Sequence, residues 1–273
     1  MNIDLHCHSN LSDGALPPAD LVDLAIQREV EMLAITDHDS IDCYREIDLL
    51  TDSIKIITGI EFSTTWRNNG IHIVGLNMDL QNHDLLEGVR RQSAARTERA
   101  HKIGQRLQNL GFDNCFEGAQ RHSGGGQIGR PHFAQHLVDI GAVSTVQQAF
   151  KRYLGAGKAG DIKEQWADLG EVISWIRGAS GVAVLAHPTK YKMTRTKLCT
   201  LLEGFASLGG EAMEVISGSQ TVSVTQSMAG LCQQFDLLAS CGSDFHSLGQ
   251  PWAALGMVSK LPANCVPVWS RWQ

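Results

Sequence analysis

Short apolar runs recur along the chain at 3–7, 32–36, 54–60, 71–76, 182–186, 213–216 and 237–240, and each has the length of a buried strand. Between several of them the spacing becomes helical. Leu21, Val22, Leu24, Ala25 and Ile26 follow Pro17 and Pro18, which suit a first helical turn. Leu169, Val172, Ile173 and Ile176 repeat with the helical period ahead of the run at 182–186. Strands alternating with helices predict a largely parallel, barrel-like α/β sheet.

The rhythm stops between about 83 and 168. That stretch is polar and helical in pattern, carrying Arg90, Arg91, Arg96, Arg99, His101, Lys102 and Arg106, then Gly124 to Gly126, then Gly129-Arg130-Pro131-His132. It reads as a helical insertion capping the open end of the barrel, as active-site lids commonly do. The expected organisation is therefore a barrel built from 1–82 and 169–273, interrupted by the insertion 83–168. The glycine run predicts a flexible connection.

A chain of 273 residues accommodates one such barrel with a modest insertion. Hydrophobic content of 43% and charged content of 19% are ordinary for a soluble globular protein. The net charge of −6 argues against a general nucleic-acid-binding surface. It leaves room for a phosphorylated substrate, because bound divalent ions add positive charge that a residue count omits. No apolar run approaches the roughly 18 residues of a membrane span, and no basic-then-apolar export signal opens the chain. Seven cysteines, an odd number without a Cys-x-x-Cys pair, point to reduced thiols in the cytoplasm.

Nine side chains able to hold a metal sit in short motifs, most of them closing an apolar run: His6, His8, Asp13, His38, Glu61, His72, His187, Asp244 and His246. Alternation along a strand turns His6 and His8 to one face and Cys7 to the other. A lone histidine, or a lone His-x-His, is usually packing or chance. The set differs because the C-terminal ends of parallel barrel strands converge on one mouth. His72 fits less well, since it opens a run. Asn69-Gly70 reads as a hairpin turn, and a tight turn there would pair His72 with Arg67, so a looser reversal is needed to bring it in. Six imidazoles and three carboxylates suit Mn²⁺, Fe²⁺ or Zn²⁺ better than Mg²⁺. Nine ligands fit two or three ions, with Glu61 able to bridge two and Asp4 and Asp37 able to orient histidines from behind.

The motifs Asp4-Leu5-His6-Cys7-His8-Ser9, Thr36-Asp37-His38-Asp39, Gly59-Ile60-Glu61, Ala186-His187-Pro188 and Gly242-Ser243-Asp244-Phe245-His246 resemble the PHP (polymerase and histidinol phosphatase) metallohydrolases. The resemblance implies a distorted (β/α)7 barrel, a trinuclear metal site and phosphoester hydrolysis. On it, Glu61, His187 and Asp244 stand at the reacting centre. His6, His8 and Asp244 would hold one ion, Asp13, His38 and His246 another, and His72 and His187 a third. Ala95 to Ala100 and Ile128 to Ala134 look like the branch of nucleoside 3′,5′-bisphosphate phosphatases and 5′-to-3′ exoribonucleases. That branch implies Arg96, Arg99, Arg130 and His132 as phosphate-binding residues. Guanidinium groups match a phosphate in bidentate geometry, although Arg96 and Arg99 without the resemblance read as a solvated helix face. The expected substrate is a nucleoside 3′,5′-bisphosphate or a 5′-phosphorylated RNA, with no membrane or obligate protein partner. The competing expectations are a small-molecule monophosphatase such as histidinol phosphatase, and a metal-binding PHP module without turnover. Trp252, Trp269 and Trp272 read as packing.

Overall fold

The computed structural model describes residues 1–162 and 166–272; residues 163–165, within the expected insertion, and residue 273 lie outside it. The chain begins with β1 (Ile3–Cys7), all five residues of which are buried. Helix α1 (Pro18–Gln27) starts on Pro17-Pro18 and turns Leu21 and Ala25 inward. Strands β2 (Met32–Ile35) and β3 (Lys55–Ile56) complete a parallel three-stranded sheet in the order β1-β2-β3. The run at 54–60 thus divides. At its centre the Gly59 amide donates to the Tyr44 hydroxyl at 2.6 Å, and a Cβ at Gly59 would lie 2.8 Å from Thr36 Cγ2. A new strand, β4 (Gly59–Trp66), starts there and pairs antiparallel with β5 (Asn69–Leu76).

Helices α2 (His83–Gln108), α3 (Cys115–His122), α4 (Arg130–Asp139) and α5 (Val146–Ala149) follow, the last running into a π-helical turn at Phe150–Leu154. Then come α6 (Leu169–Gly178), β6 (Val182–Leu185), α7 (Arg195–Ser207), β7 (Ala212–Ser217), α8 (Val222–Gln234) and β8 (Leu238–Gly242). β4 to β8 form a second sheet in sequence order, with β5 antiparallel to both neighbours and β6, β7 and β8 parallel.

The described residues therefore form a mixed α/β fold with two sheets and, among them, no closed barrel. Main-chain bridges cross both seams, Cys7 to Phe245 on one side and His38 to Glu61 on the other. Each seam carries paired hydrogen bonds: His8 N to Phe245 O at 2.9 Å and Asp244 N to His6 O at 2.8 Å, then Asp39 N to Glu61 O at 3.0 Å and Glu61 N to Asp37 O at 3.2 Å. Both seams lie among the metal-ligand motifs, so side chains from the two sheets meet there.

Two apolar clusters hold the chain. The larger fills the space between the strands and helices α1, α6, α7 and α8, with Phe62, Phe205 and Phe245 fully buried. In α6 the residues spaced at the helical period, Leu169, Val172, Ile173 and Ile176, are those that face it. The smaller cluster, with Ile103, Leu107, Phe133, Leu137 and Leu154, belongs to the helices after β5. Each such side chain contributes about 1.5–3 kcal/mol when fully buried, so this helical unit carries a core of its own.

Candidate metal centre and its basic wall

His6 and His8 lie at the C-terminal end of β1, both fully buried. Cys7 between them turns away, its thiol donating to Ala34 O at 3.4 Å, as alternation along a strand requires. The next turn is folded by Asp37, whose carboxylate accepts from Ser9 N at 2.7 Å, Ser9 Oγ at 2.5 Å and Ser12 Oγ at 2.7 Å. That turn carries Asp13 back to His246, with 3.3 Å between Oδ1 and Nε2. Asp37 thus shapes a loop, and Asp4 accepts main-chain amides of Ser243 and Gly256 at 2.8 Å each. Neither carboxylate bonds a histidine ring, in contrast to the orienting role expected of them.

His72 reaches the site because the hairpin turns earlier than its Asn-Gly pair suggests. Arg67 and Asn68 take positive φ (45° and 63°), and Ser63 pairs with His72. Glu61 then lies diagonally across the strands on the same face, a distance that long side chains span. His72 Nδ1 is 2.8 Å from Glu61 Oε1. His187 follows β6 with φ +27°, and Asp244 follows β8 with φ +54°. Non-glycine residues in the left-handed region carry strain that surrounding contacts must hold, a common property of functional sites.

All nine expected ligands converge, and Glu61 is at their centre. Its Oε1 faces His72 and His187 at 2.8 Å each. Its Oε2 faces His38 Nδ1 at 3.0 Å, His8 Nε2 at 3.3 Å and His6 Nε2 at 3.4 Å. Three sets of ligand atoms lie within 4.8 Å of one another: His8, Asp13, His38 and His246; His6, His8 and Glu61; His38, Glu61 and His72. His8 and His38 thus each belong to two sets, where the family resemblance assigned each to one ion. Asp244 Oδ1 stands 3.4 Å from His8 Nε2 and 3.6 Å from His6 Nε2.

The site's polar atoms are not satisfied by the protein alone. His8 Nδ1 and His187 Nδ1 are buried without a hydrogen-bond partner. Burial and the neighbouring His246 push the His8 imidazole down to about 3, so it stays neutral. Burial opposes ionisation of Glu61, but His72, His38 and His6 outweigh it and hold the carboxyl well below its usual range. A neutral imidazole such as His8 and an ionised carboxylate such as Glu61 are the forms in which these side chains bind divalent transition ions.

One buried carboxylate escaped the sequence reading. Glu214, in the middle of β7, places Oε1 2.5 Å from His6 Nδ1 and accepts the His187 amide on Oε2 at 2.6 Å. Its only local signal is a charge inside an apolar strand. It holds two of the expected ligands from behind, the placement of an outer-shell partner of metal-binding histidines. Glu214→Ala is expected to weaken Mn²⁺ affinity by about 10- to 100-fold, read by calorimetric titration of metal-free protein; an unchanged affinity would remove this role. Lys190 pairs with Asp244, and the Tyr191 hydroxyl donates to Ala186 O at 2.8 Å while accepting from His72 N at 3.0 Å. Neither residue stood out in the sequence.

The helical unit brings its cations to the Asp13 side. A Cβ at Gly129 would be 3.9 Å from both Arg96 Nη1 and Asp13 Cβ. Arg96 and Arg99 are only 5% and 7% exposed, so they do not lie on a solvated face. Arg96 is bound to Asp39 Oδ2 through Nε at 3.1 Å and Nη2 at 2.5 Å, and Nη2 also donates to Ser63 Oγ at 2.9 Å. Arg99 donates to Ile162 O at 3.0 Å. Burial, then Arg130, then Arg96 lower its guanidinium to about 9, still charged at neutral pH. Arg130 lies over the Phe150 ring and 4.0 Å from Asp161. His132 Nδ1 accepts the Gly129 amide at 3.0 Å and so caps α4. The glycine run is not merely a connection: a Cβ at Gly126 would strike Asn10 O at 2.6 Å, and Gln127 N donates to Leu11 O at 2.9 Å. Close backbone contact there fixes the helices to the loop that carries Asp13.

Among the described residues no helix is long and apolar enough to cross a membrane. Known proteins share this architecture. A Haemophilus influenzae protein named 5′-3′ exoribonuclease is 42% identical, covering 98% of both chains. A Chromobacterium violaceum protein named 3′,5′-nucleoside bisphosphate phosphatase is 40% identical over 98% of this chain and 95% of its own. A structure of an amidohydrolase from Chromobacterium violaceum, with bound sulfate and no metal, superposes with a TM-score of 0.92 at 40% identity, over 99% of this chain and 95% of that one. The PHP domain matches residues 4–179, and with these relatives it shows that the chain belongs to the PHP domain family.

Proposed function

We propose that this protein hydrolyses the 3′-phosphoester of nucleoside 3′,5′-bisphosphates to 5′-mononucleotide and phosphate, and cuts 5′-phosphorylated RNA from its 5′ end. The observation that carries this reading is the buried ligand cluster standing against a wall of guanidinium groups. The two relatives named for these activities support it.

His6, His8 and Asp244, with Asp13, His38 and His246, and with His72 and His187 around Glu61, would hold two or three divalent ions, Mn²⁺ foremost and Fe²⁺ or Zn²⁺ as alternatives. Such ions lower the pKa of water and neutralise phosphoryl oxygens. The protein's own part is position and charge. Glu61, His187 and Asp244 surround the reacting phosphoryl group. Water oxygen bonds to phosphorus, the bond to the 3′-oxygen breaks, and that oxygen takes a proton. Arg99, Arg130 and His132 hold the unreacted 5′-phosphate, with Arg96 kept in place by Asp39. Arg99, lowered first by burial and then by the neighbouring Arg130 and Arg96, gains from a dianion beside it.

We read the two bridged sheets as a distorted (β/α)7 barrel from 1–82 and 169–273, and 83–168 as its cap. The seven unpaired cysteines support a reducing compartment, the cytoplasm.

The test is release of phosphate and nucleotide with Mn²⁺ from adenosine 3′,5′-bisphosphate, 5′-AMP, histidinol phosphate and a 5′-phosphorylated RNA oligomer. Turnover of the bisphosphate and RNA, with little of the others, is expected; turnover of histidinol phosphate alone would overturn the reading. Arg130→Ala is expected to raise KM for the bisphosphate by about 10- to 100-fold, the loss of one charge-assisted phosphate contact, with a much smaller change for a 3′-monophosphate. Equal changes would remove the role of Arg130 in choosing a second phosphate.

A further inference from the structure

A cavity of about 320 Å³ opens against Asp244 and His246 of the metal centre. That volume is at the small end of ligand pockets. Lys190, Ser217, Gln250 and Trp252 line it. Three observations mark it as a built site. Ser217 Oγ is buried without a hydrogen-bond partner. Trp252 is 61% exposed, alone among the tryptophans in belonging to the exposed class. Its backbone is nevertheless held firmly. It sits in a 3-10 turn, Pro251–Ala253, and its carbonyl accepts the Ser219 amide at 2.6 Å. Gly218, at φ +61°, lets that strand approach, since a Cβ there would meet Trp252 O at 2.5 Å.

A fixed backbone presenting an indole to solvent costs apolar exposure and contributes nothing to the core, in contrast to the packing role its sequence suggested. An exposed indole on a residue that lines a cavity against the metal centre has a chemical use. Nucleobases stack on aromatic faces irrespective of sequence, and the neighbouring Lys190 ammonium offers charge to a phosphate. A nucleoside bisphosphate ends at the reacting phosphorus and carries nothing beyond it. An RNA substrate does not: beyond its first linkage it carries another nucleotide, attached to the reacting phosphorus.

We propose that this cavity is the subsite for the downstream nucleotide of 5′-phosphorylated RNA, with the Trp252 indole stacking on its base. The inference rests on the function proposed above and extends it to the polynucleotide. It implies that the base of the second nucleotide is read by stacking and hence without strong preference among the four.

The test compares a 5′-phosphorylated ribodinucleotide with its counterpart lacking the second base, with adenosine 3′,5′-bisphosphate assayed in parallel. The wild-type protein is expected to give kcat/KM about tenfold higher for the dinucleotide than for the abasic form, within the range of base–aromatic stacking. Trp252→Ala is expected to bring that ratio to about one, and Trp252→Phe to restore most of it. A wild-type ratio near one, or a ratio unchanged in Trp252→Ala, overturns the proposal. So does bisphosphate turnover without dinucleotide cleavage. Absence of turnover on both substrates overturns the underlying function as well, which separates the two failures.

Discussion

Glu61→Gln is expected to lower kcat on the bisphosphate by on the order of 10³-fold, beyond the 10- to 100-fold typical when only an outer-shell partner of a metal ligand is lost. The reason is its position. One carboxylate faces five imidazoles, two on Oε1 and three on Oε2, so its charge is the element that the histidine sets share. The amide keeps the shape and one acceptor oxygen but removes the negative charge and replaces the other oxygen with a donor that points at ring nitrogens. Metal content by elemental analysis, measured beside kcat, separates loss of ions from loss of chemistry. Retention of more than a tenth of wild-type kcat at full metal content would contradict a central role for Glu61.

Asp39→Ala is expected to destabilise the fold by about 3–5 kcal/mol, the cost of leaving one partner of a buried ion pair uncompensated. Asp39 is fully buried, and it receives Arg96, the Ser63 amide at 2.8 Å and Gln92 Nε2 at 3.1 Å. Arg96 and Gln92 belong to α2, while Asp39 and Ser63 belong to the strand region, so this network ties the helical unit to the sheets. At about 2–4 °C per kcal/mol for a chain near this size, Tm would fall by roughly 6–20 °C. Asp39→Ala with Arg96→Met is expected to recover a large part of the loss, since a buried pair replaced by apolar groups is often near neutral. A fall below 1 kcal/mol for the single variant would show that solvent reaches the guanidinium.

The two networks differ in how far they were legible beforehand. The candidate ligands of the metal centre stand in local motifs, and their chemistry restricts them to a few residue types. His6 and His8 share a face because a strand alternates, whatever surrounds it. Arg96 and Arg99 were visible as charges three apart on a helix, yet their burial was not, because nothing local shows that Asp39 lies across from Arg96. Glu214 was hidden for a related reason: its partner His6 is 208 residues away in sequence. The hairpin shows a subtler limit. Asn69-Gly70 carries the stronger turn signal, but the reversal takes place at Arg67-Asn68, where Ser63 pairs with His72 and both faces of β5 are aligned with β4 and β6. Tertiary pairing of two strands outweighed the preference of two residues.

The chain by itself therefore determined the inventory: nine candidate ligands, the apolar runs that end near them and the basic helical stretch between. Periodicity and side-chain chemistry are local properties and can be read one segment at a time. Only the tertiary structure decided the register that brings His72 to Glu61, the carboxylate behind His6, the pairing of Arg96 with Asp39 and the exposure of Trp252. These depend on which distant segments lie side by side, and that is set by the joint burial of many side chains and the closure of backbone hydrogen bonds across the seams between the two sheets.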